Sequence, residues 1–164
     1  MSMYENSENE NKESTPIELV EATIADVGVL IETEKSVAGT RTYSPMLEEE
    51  EWSEELTKSK VFLIKKDGAV VGNVSYEREG DERVYISGLV VKPKFQGKGV
   101  AKEVLKKLLD QFESVKKIDL VTHPENERAL ELYRSLGFVV SSVEENYFGD
   151  GEPRLKLERL SGKL

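Results

Sequence analysis

Gln96-Gly97-Lys98-Gly99-Val100-Ala101 sets two glycines between a strongly apolar run and an amphipathic one. Upstream, Arg83 to Val91 carries Val84, Ile86 and Val90 on one face and Tyr85, Leu89 and Val91 on the other. A strand apolar on both faces belongs in the middle of a sheet that is covered on both sides. Downstream, Ala101, Val104, Leu105, Leu108, Leu109 and Phe112 recur at helical spacing from Val100, with Lys102, Glu103, Lys106 and Lys107 facing water. The glycines let the backbone turn tightly between the two elements, and the helix start presents unpaired N–H groups to an anion. Lys94, Lys98 and Lys102 make this the most basic short stretch of the chain. Two readings fit it: a turn that needs glycine for geometry, or a phosphate cradle. A dinucleotide fingerprint fails because Lys102 stands where a third glycine is needed, and Gly-Lys-Ser/Thr occurs nowhere in the chain.

Working outward, Ile17, Leu19 and Ala22 predict a short strand, and Thr23 with Asp26 predicts a capped helix carrying Ile24, Val27, Leu30 and Ile31 as far as Lys35. Ser36 to Pro45 reads as a loop. Leu47 to Ser59 reads as a second helix with Leu47, Trp52 and Leu56 inward and a glutamate-dense outer face. Val61–Lys65 and Val70–Arg78 form a hairpin across Asp67-Gly68. After the glycine loop and its helix come a strand at Ile118–Thr122 and a turn at Pro124-Glu125-Asn126. A helix follows, capped by Asn126, carrying Ala129, Leu130, Tyr133 and Leu136 and stopped by Gly137. Phe138–Tyr147 and Glu152–Arg159 read as a last hairpin across Gly149-Asp150-Gly151. The order β-α-α-β-β-β-α-β-α-β-β predicts one mixed α/β domain over residues 16–160, preceded by a disordered acidic tail over 1–15.

The 164 residues suit one domain at ~150 residues per domain. Lys and Arg total 23 against 32 Asp and Glu, a net charge of -9, which disfavours nucleic acid as the main partner. The 38% of hydrophobic residues is enough for a core, and no stretch approaches the ~20 apolar residues of a membrane span. The N-terminal residues lack the basic and apolar regions of a signal peptide, and the absence of cysteine fits a cytoplasmic protein. Without cysteine and with His123 as the single histidine, thiolate and multi-histidine metal sites are excluded, and no metal is expected.

Asn126-Glu127-Arg128-Ala129-Leu130-Glu131-Leu132-Tyr133 runs on to Gly137-Phe138. Taken with Gln96-x-x-Gly99-x-Ala101, it resembles the GNAT superfamily of acyl-CoA-dependent N-acyltransferases, over nearly the whole chain outside the tail. The resemblance implies a mostly antiparallel sheet of six or seven strands with helices on both faces, and acetyl-CoA as cosubstrate. It implies that backbone groups of Leu89, Val90 and Val91 pair with the pantetheine arm where Ile118–Thr122 splays away. Gln96, Gly97, Lys98, Gly99, Val100 and Ala101 would form the pyrophosphate loop, with Lys98 or Lys102 either reaching the ribose phosphate or simply solvated. Asn126 would bind pantetheine or substrate as well as capping its helix.

Tyr133 is the implied general acid, a phenol that protonates the departing thiolate; as a residue at helical spacing it also reads as a core tyrosine. The general base stays open. The central strand offers Tyr85, Ser87 and Gly88 and no acid, which leaves Glu77 on the preceding strand, Glu32 or Glu34 on the first helix, His123, or a water chain to a distant carboxylate. Tyr147-Phe148-Gly149-Asp150-Gly151-Glu152 resembles the hairpin of the ribosomal-protein alanine N-acetyltransferases, although the missing strand glutamate departs from that group. Glu48 to Glu51, Glu54 and Glu55 would attract a polyamine, an aminoglycoside or a lysine, and an exposed helix face accounts for them equally. The expected partner is a small-molecule amine or a peptide, with the chain a monomer or homodimer. The alternative is a non-catalytic acyl-CoA-binding module on the same fold.

Overall fold

The computed structural model describes residues 15–161, so the acidic tail lies outside the described residues except for Thr15. The elements run in the expected order: β1 (Glu18–Glu21), α1 (Val27–Lys35), α2 (Glu49–Lys58), β2 (Lys60–Lys66), β3 (Ala69–Glu79), β4 (Arg83–Val91), α3 (Val100–Gln111), β5 (Lys117–Thr122), α4 (Glu127–Ser135), β6 (Val139–Glu144) and β7 (Arg154–Leu160). They build a seven-stranded sheet in the order β1-β2-β3-β4-β5-β7-β6. Its neighbours run antiparallel except for β4 and β5, which are parallel.

The doubly apolar β4 sits at the centre of this sheet, as its pattern requires. Side chains of β2 show how the two faces are filled. Ile64 and Phe62 join a large cluster with Val104, Leu105, Leu108 and Phe112 of the α3 segment, whereas Val61 and Leu63 pack with Leu30 and Trp52 of α1 and α2.

Strand β4 is irregular in two places. Ser75 pairs with Gly88 but Tyr76 pairs with Ile86, so Ser87 is an extra residue, a bulge that re-aims its side chain. The pairing with β5 covers only Arg83–Tyr85 against Lys117–Asp119, although both strands continue. Beyond Tyr85 the two strands part, and the β5-facing edge of β4 has no ladder partner there. Arg83 grips the buried Asp119 at this last rung through two bonds, 2.8 Å and 2.7 Å long.

Several sequence expectations are corrected. Thr23 and Asp26 do form a capping box, but they cap a 3₁₀ turn at Ile24–Asp26 that leaves Ile24 67% exposed rather than packed. Helix α2 begins at Glu49, and Glu55 lies inside, three residues from Trp52 on the same buried stripe, not on the outer face. The last hairpin is not tight. Strand β6 ends at Glu144, and residues 145–153 form a wide loop because Asn146 turns at φ 50° and its Oδ1 accepts the Gly151 N–H at 2.6 Å.

Candidate functional site

Where β4 and β5 part, a cleft of about 630 Å³ opens. Leu89, Val90 and Val91 form one wall and the 96–101 loop one end, with Gln96, Gly97, Gly99, Val100 and Ala101 all lining it. Gly97 and Gly99 adopt φ of 76° and 80°, conformations that cost an L side chain strain. Gly99 occupies the N-cap position of α3, so the first backbone N–H groups of a twelve-residue helix open toward the loop. Gln96 steadies the turn by donating from Nε2 to the Val91 carbonyl at 2.9 Å.

Lys98 does not line this cleft; its Nζ sits over the Phe95 ring, 5.9 Å from the centroid. Lys102 and Arg128 do line it, and among the described residues no carboxylate does. Arg128 escaped the sequence reading, although it stands in the first turn of α4 two residues after Asn126. A β-carbon on Gly97 would come 3.6 Å from its Nη1, so the arginine faces the loop. The cradle of left-handed glycines, helix start and two cations fits a pyrophosphate-bearing coenzyme.

A second cavity of about 360 Å³ adjoins the first, and Thr42, Tyr43, Leu89, Asn126 and Tyr133 line both. Its charge is opposite: Glu34, Glu51, Glu54 and Glu55 line it, against Lys58 and an Arg154 already paired with Asp150 at 2.9 Å. Tyr133 stands at the junction, nearly buried, and its hydroxyl has no hydrogen-bond partner among the described residues. Burial pushes its phenol up to about 12, so it holds its proton at neutral pH. Asn126 occupies the N-cap of α4 without making a side-chain cap bond, contrary to expectation, so its amide remains available to the junction.

The structure separates the acids that the sequence left together. Glu77 lines neither cavity; it lies on β3 opposite Tyr85, below the point where the strands part. Glu32 is exposed on α1. His123 is buried, but both its nitrogens are engaged. Nδ1 accepts the Glu125 backbone N–H at 3.0 Å, which places the ring proton on Nε2, 2.9 Å from Glu152.

Glu34 is only 2% exposed and lines the second cavity. Burial pushes its carboxyl up to about 7, opposed by the Tyr43 hydroxyl and the Met46 backbone N–H, with Glu51 adding to the rise. The Tyr43 hydroxyl donates to Glu34 Oε2 at 2.8 Å. Arg41, in the same loop as Tyr43, binds Glu125 and reaches Glu152 at 2.8 Å, which ties this loop to the β6–β7 loop.

Residues 26–138 match the acetyltransferase (GNAT) family. An uncharacterized N-acetyltransferase, YfmK, of Bacillus subtilis (strain 168) is 30% identical over 108 residues, covering 63% of this chain and 72% of that protein. The spermidine N(1)-acetyltransferase of Escherichia coli (strain K12) is 32% identical over 98 residues, covering 57% of this chain and 53% of that enzyme. The chain therefore spans about half the length of the spermidine enzyme. In overall shape it is similar to the ribosomal-protein-S18-alanine N-acetyltransferase from Escherichia coli, with a TM-score of 0.77 at 18% identity, covering 90% of this chain and 96% of that one. A family acetyltransferase from Elizabethkingia anophelis with acetyl-CoA bound gives a TM-score of 0.70 at 19% identity, covering 88% and 97%. The matched residues take in β4, the 96–101 loop and α4, and the chain belongs to the acetyltransferase (GNAT) family.

Proposed function

We propose that the protein transfers the acetyl group of acetyl-CoA to a primary amine by direct attack on the thioester. The observation that carries this reading is the meeting, at Tyr133, of a cation-lined cleft and a carboxylate-lined cavity. The first suits an anionic donor and the second an alkylammonium acceptor. Both relatives named as acting on particular acceptors, spermidine and a ribosomal-protein alanine, modify amines, which supports the same class of acceptor here.

The β5-facing edge of Leu89 to Val91, where the Val91 carbonyl is held by Gln96, receives the pantetheine arm, and the N–H groups from Gly97 to Ala101 take the pyrophosphate, helped by Lys102 and Arg128. Asn126 positions the arm at the junction. Glu34, ionised above pH about 7, accepts one proton of the ammonium directly or through the Tyr43 hydroxyl. The freed lone pair forms the C–N bond as the C–S bond breaks. Tyr133 gives its proton to the departing sulfur and is reprotonated by the second proton that the nitrogen sheds. The products are the amide, the free thiol and the proton left on Glu34.

Thiol release from acetyl-CoA across a panel of amines and short peptides tests the assignment. Acceptor-dependent release that falls about 10²-fold or more in Tyr133→Phe is the expected result. Binding of acetyl-CoA with no acceptor-dependent release would favour a non-catalytic coenzyme-binding module.

A further inference from the structure

The bulge at Ser87 has a counterpart across the second cavity. The Ser87 hydroxyl donates to Glu55 Oε1 at 2.8 Å and lies 2.9 Å from the Ser75 hydroxyl. Glu55 is buried, yet its cationic neighbour is weak: Lys58 is 3.7 Å away with a side chain 61% exposed. A lysine held so loosely at the surface contributes little to neutralising a buried carboxylate.

Asn73 supplies an independent sign that something else binds there. It is 1% exposed, lines the same cavity, and its Nδ2 has no hydrogen-bond partner among the described residues. Buried amides without partners are rare in folded proteins, because each costs the desolvation of its polar atoms. Asn73 and Ser75 are two residues apart on β3 and therefore share a face, which sets the amide beside the Ser75–Ser87–Glu55 chain. With Nδ2 unheld, a half-turn of the amide presents Oδ1 instead.

We infer that the acceptor carries a second cationic group, which binds between Glu55 and Asn73 while the reacting amine lies near Glu34 and Tyr133. This rests on the amine-acetylating reading above and narrows it to diamines and longer polyamines. An ammonium has three N–H donors, and Glu55, Asn73 and the serine hydroxyls offer acceptor oxygens on one side of the cavity. Binding displaces the Lys58 ammonium from its 3.7 Å contact.

The test compares 1,4-diaminobutane with 1-aminopentane, which match in heavy-atom count and differ in one terminal charge. The wild-type chain is expected to favour the diamine in kcat/KM by about tenfold or more, the effect of one charge-assisted contact. Glu55→Gln keeps an oxygen for Ser87 and lowers that preference about tenfold, whereas Lys58→Met, at an exposed position, raises it. Equal kcat/KM for the two amines, or a preference that neither variant moves, overturns the inference and leaves the proposed function standing. Transfer to neither amine leaves the proposed reaction to be judged on the wider panel of amines and peptides. In that event, calorimetric titration with N,N,N′,N′-tetramethyl-1,4-diaminobutane decides the matter, since this tertiary diamine is a dication at neutral pH and cannot be acylated to an amide. Wild-type binding that weakens in Glu55→Gln supports the second-cation site, and absence of binding sinks it.

Discussion

The hydroxyl of Tyr43 donates a 2.8 Å hydrogen bond to Oε2 of Glu34, inside the carboxylate-lined cavity. This bond stabilises the ionised carboxylate, while burial works against it and prevails, leaving Glu34 near pH 7. A base must be deprotonated to act, so kcat/KM should rise with pH through about 7 and level off above it. Glu34→Gln is expected to lose about 10²-fold in kcat together with that limb. Tyr43→Phe removes a group that lowers the pKa and should shift the limb to higher pH. A pH–rate profile of the three proteins checks this, and an unmoved limb in Tyr43→Phe would count against the relay.

The same carboxyl has a consequence for stability. Its folded pKa, about 7, lies above its ordinary value of 4.5, so the folded state binds the proton more tightly. Stability from this group is fully present below pH 4.5 and is lost as pH rises through about 7. Glu34→Gln does not titrate, so it should gain on the wild type by up to about 3 kcal/mol between pH 4.5 and pH 8. Denaturant unfolding at the two pH values measures the difference.

In the proposed mechanism the Tyr133 hydroxyl acts on the leaving sulfur, so Tyr133→Phe should leave the KM for acetyl-CoA near the wild-type value while kcat falls about 10²–10⁴-fold. With the phenol held up to about 12 by burial, the wild-type rate should show no alkaline decline below pH 10 from this group. A decline near pH 9 that disappears in the variant would contradict the protonated phenol.

Gly99→Ala places a β-carbon at φ 80° in open space, so its cost is backbone strain rather than a clash. Strain of ~1–2 kcal/mol at the helix start should weaken acetyl-CoA binding by about tenfold, with little effect on the acceptor KM. Titration of the coenzyme measures this directly.

Arg83→Ala leaves the fully buried Asp119 without its bidentate partner. Breaking such a pair costs about 3 kcal/mol, at the lower end of the usual range because Lys156 lies 3.8 Å from the same oxygen. Asp119→Asn keeps the shape and should cost less. A guanidinium unfolding series that ranks them otherwise would refute this account.

The lining of the first cleft was legible in the sequence, Lys98 apart, because its residues are contiguous. The glycine loop, Val100 and Ala101 belong to one strand-to-helix turn, and Tyr133 stands seven residues along a helix from Asn126. The carboxylate-lined cavity was not legible because contacts between distant segments define it. Helical spacing cannot separate Glu32 from Glu34; the Tyr43 loop and Met46 mark Glu34 out. Glu55 carried a signal in its i, i+3 relation to Trp52, but a charged residue reads as exposed until Ser87 is seen to reach it. That reach depends on a bulge, which leaves no trace in an alternating pattern. The Gly149-Asp150-Gly151 run reads as a tight turn, yet Asn146 had already diverted the chain.

The short register between β4 and β5 also divides the sheet unequally. Among the described residues, four strands on one side and three on the other share a ladder of three residue pairs, backed by the Arg83–Asp119 grip and by the hydrophobic cluster that spans both sides. Such a seam is where cooperative unfolding can break into two units, each with its own hydrogen-exchange protection. A ligand arm lying along the free edge of Leu89 to Val91 replaces missing rungs and fastens the halves together. The coenzyme would then act as a structural suture as well as a reactant, tying the protein's resistance to unfolding to the supply of its own donor.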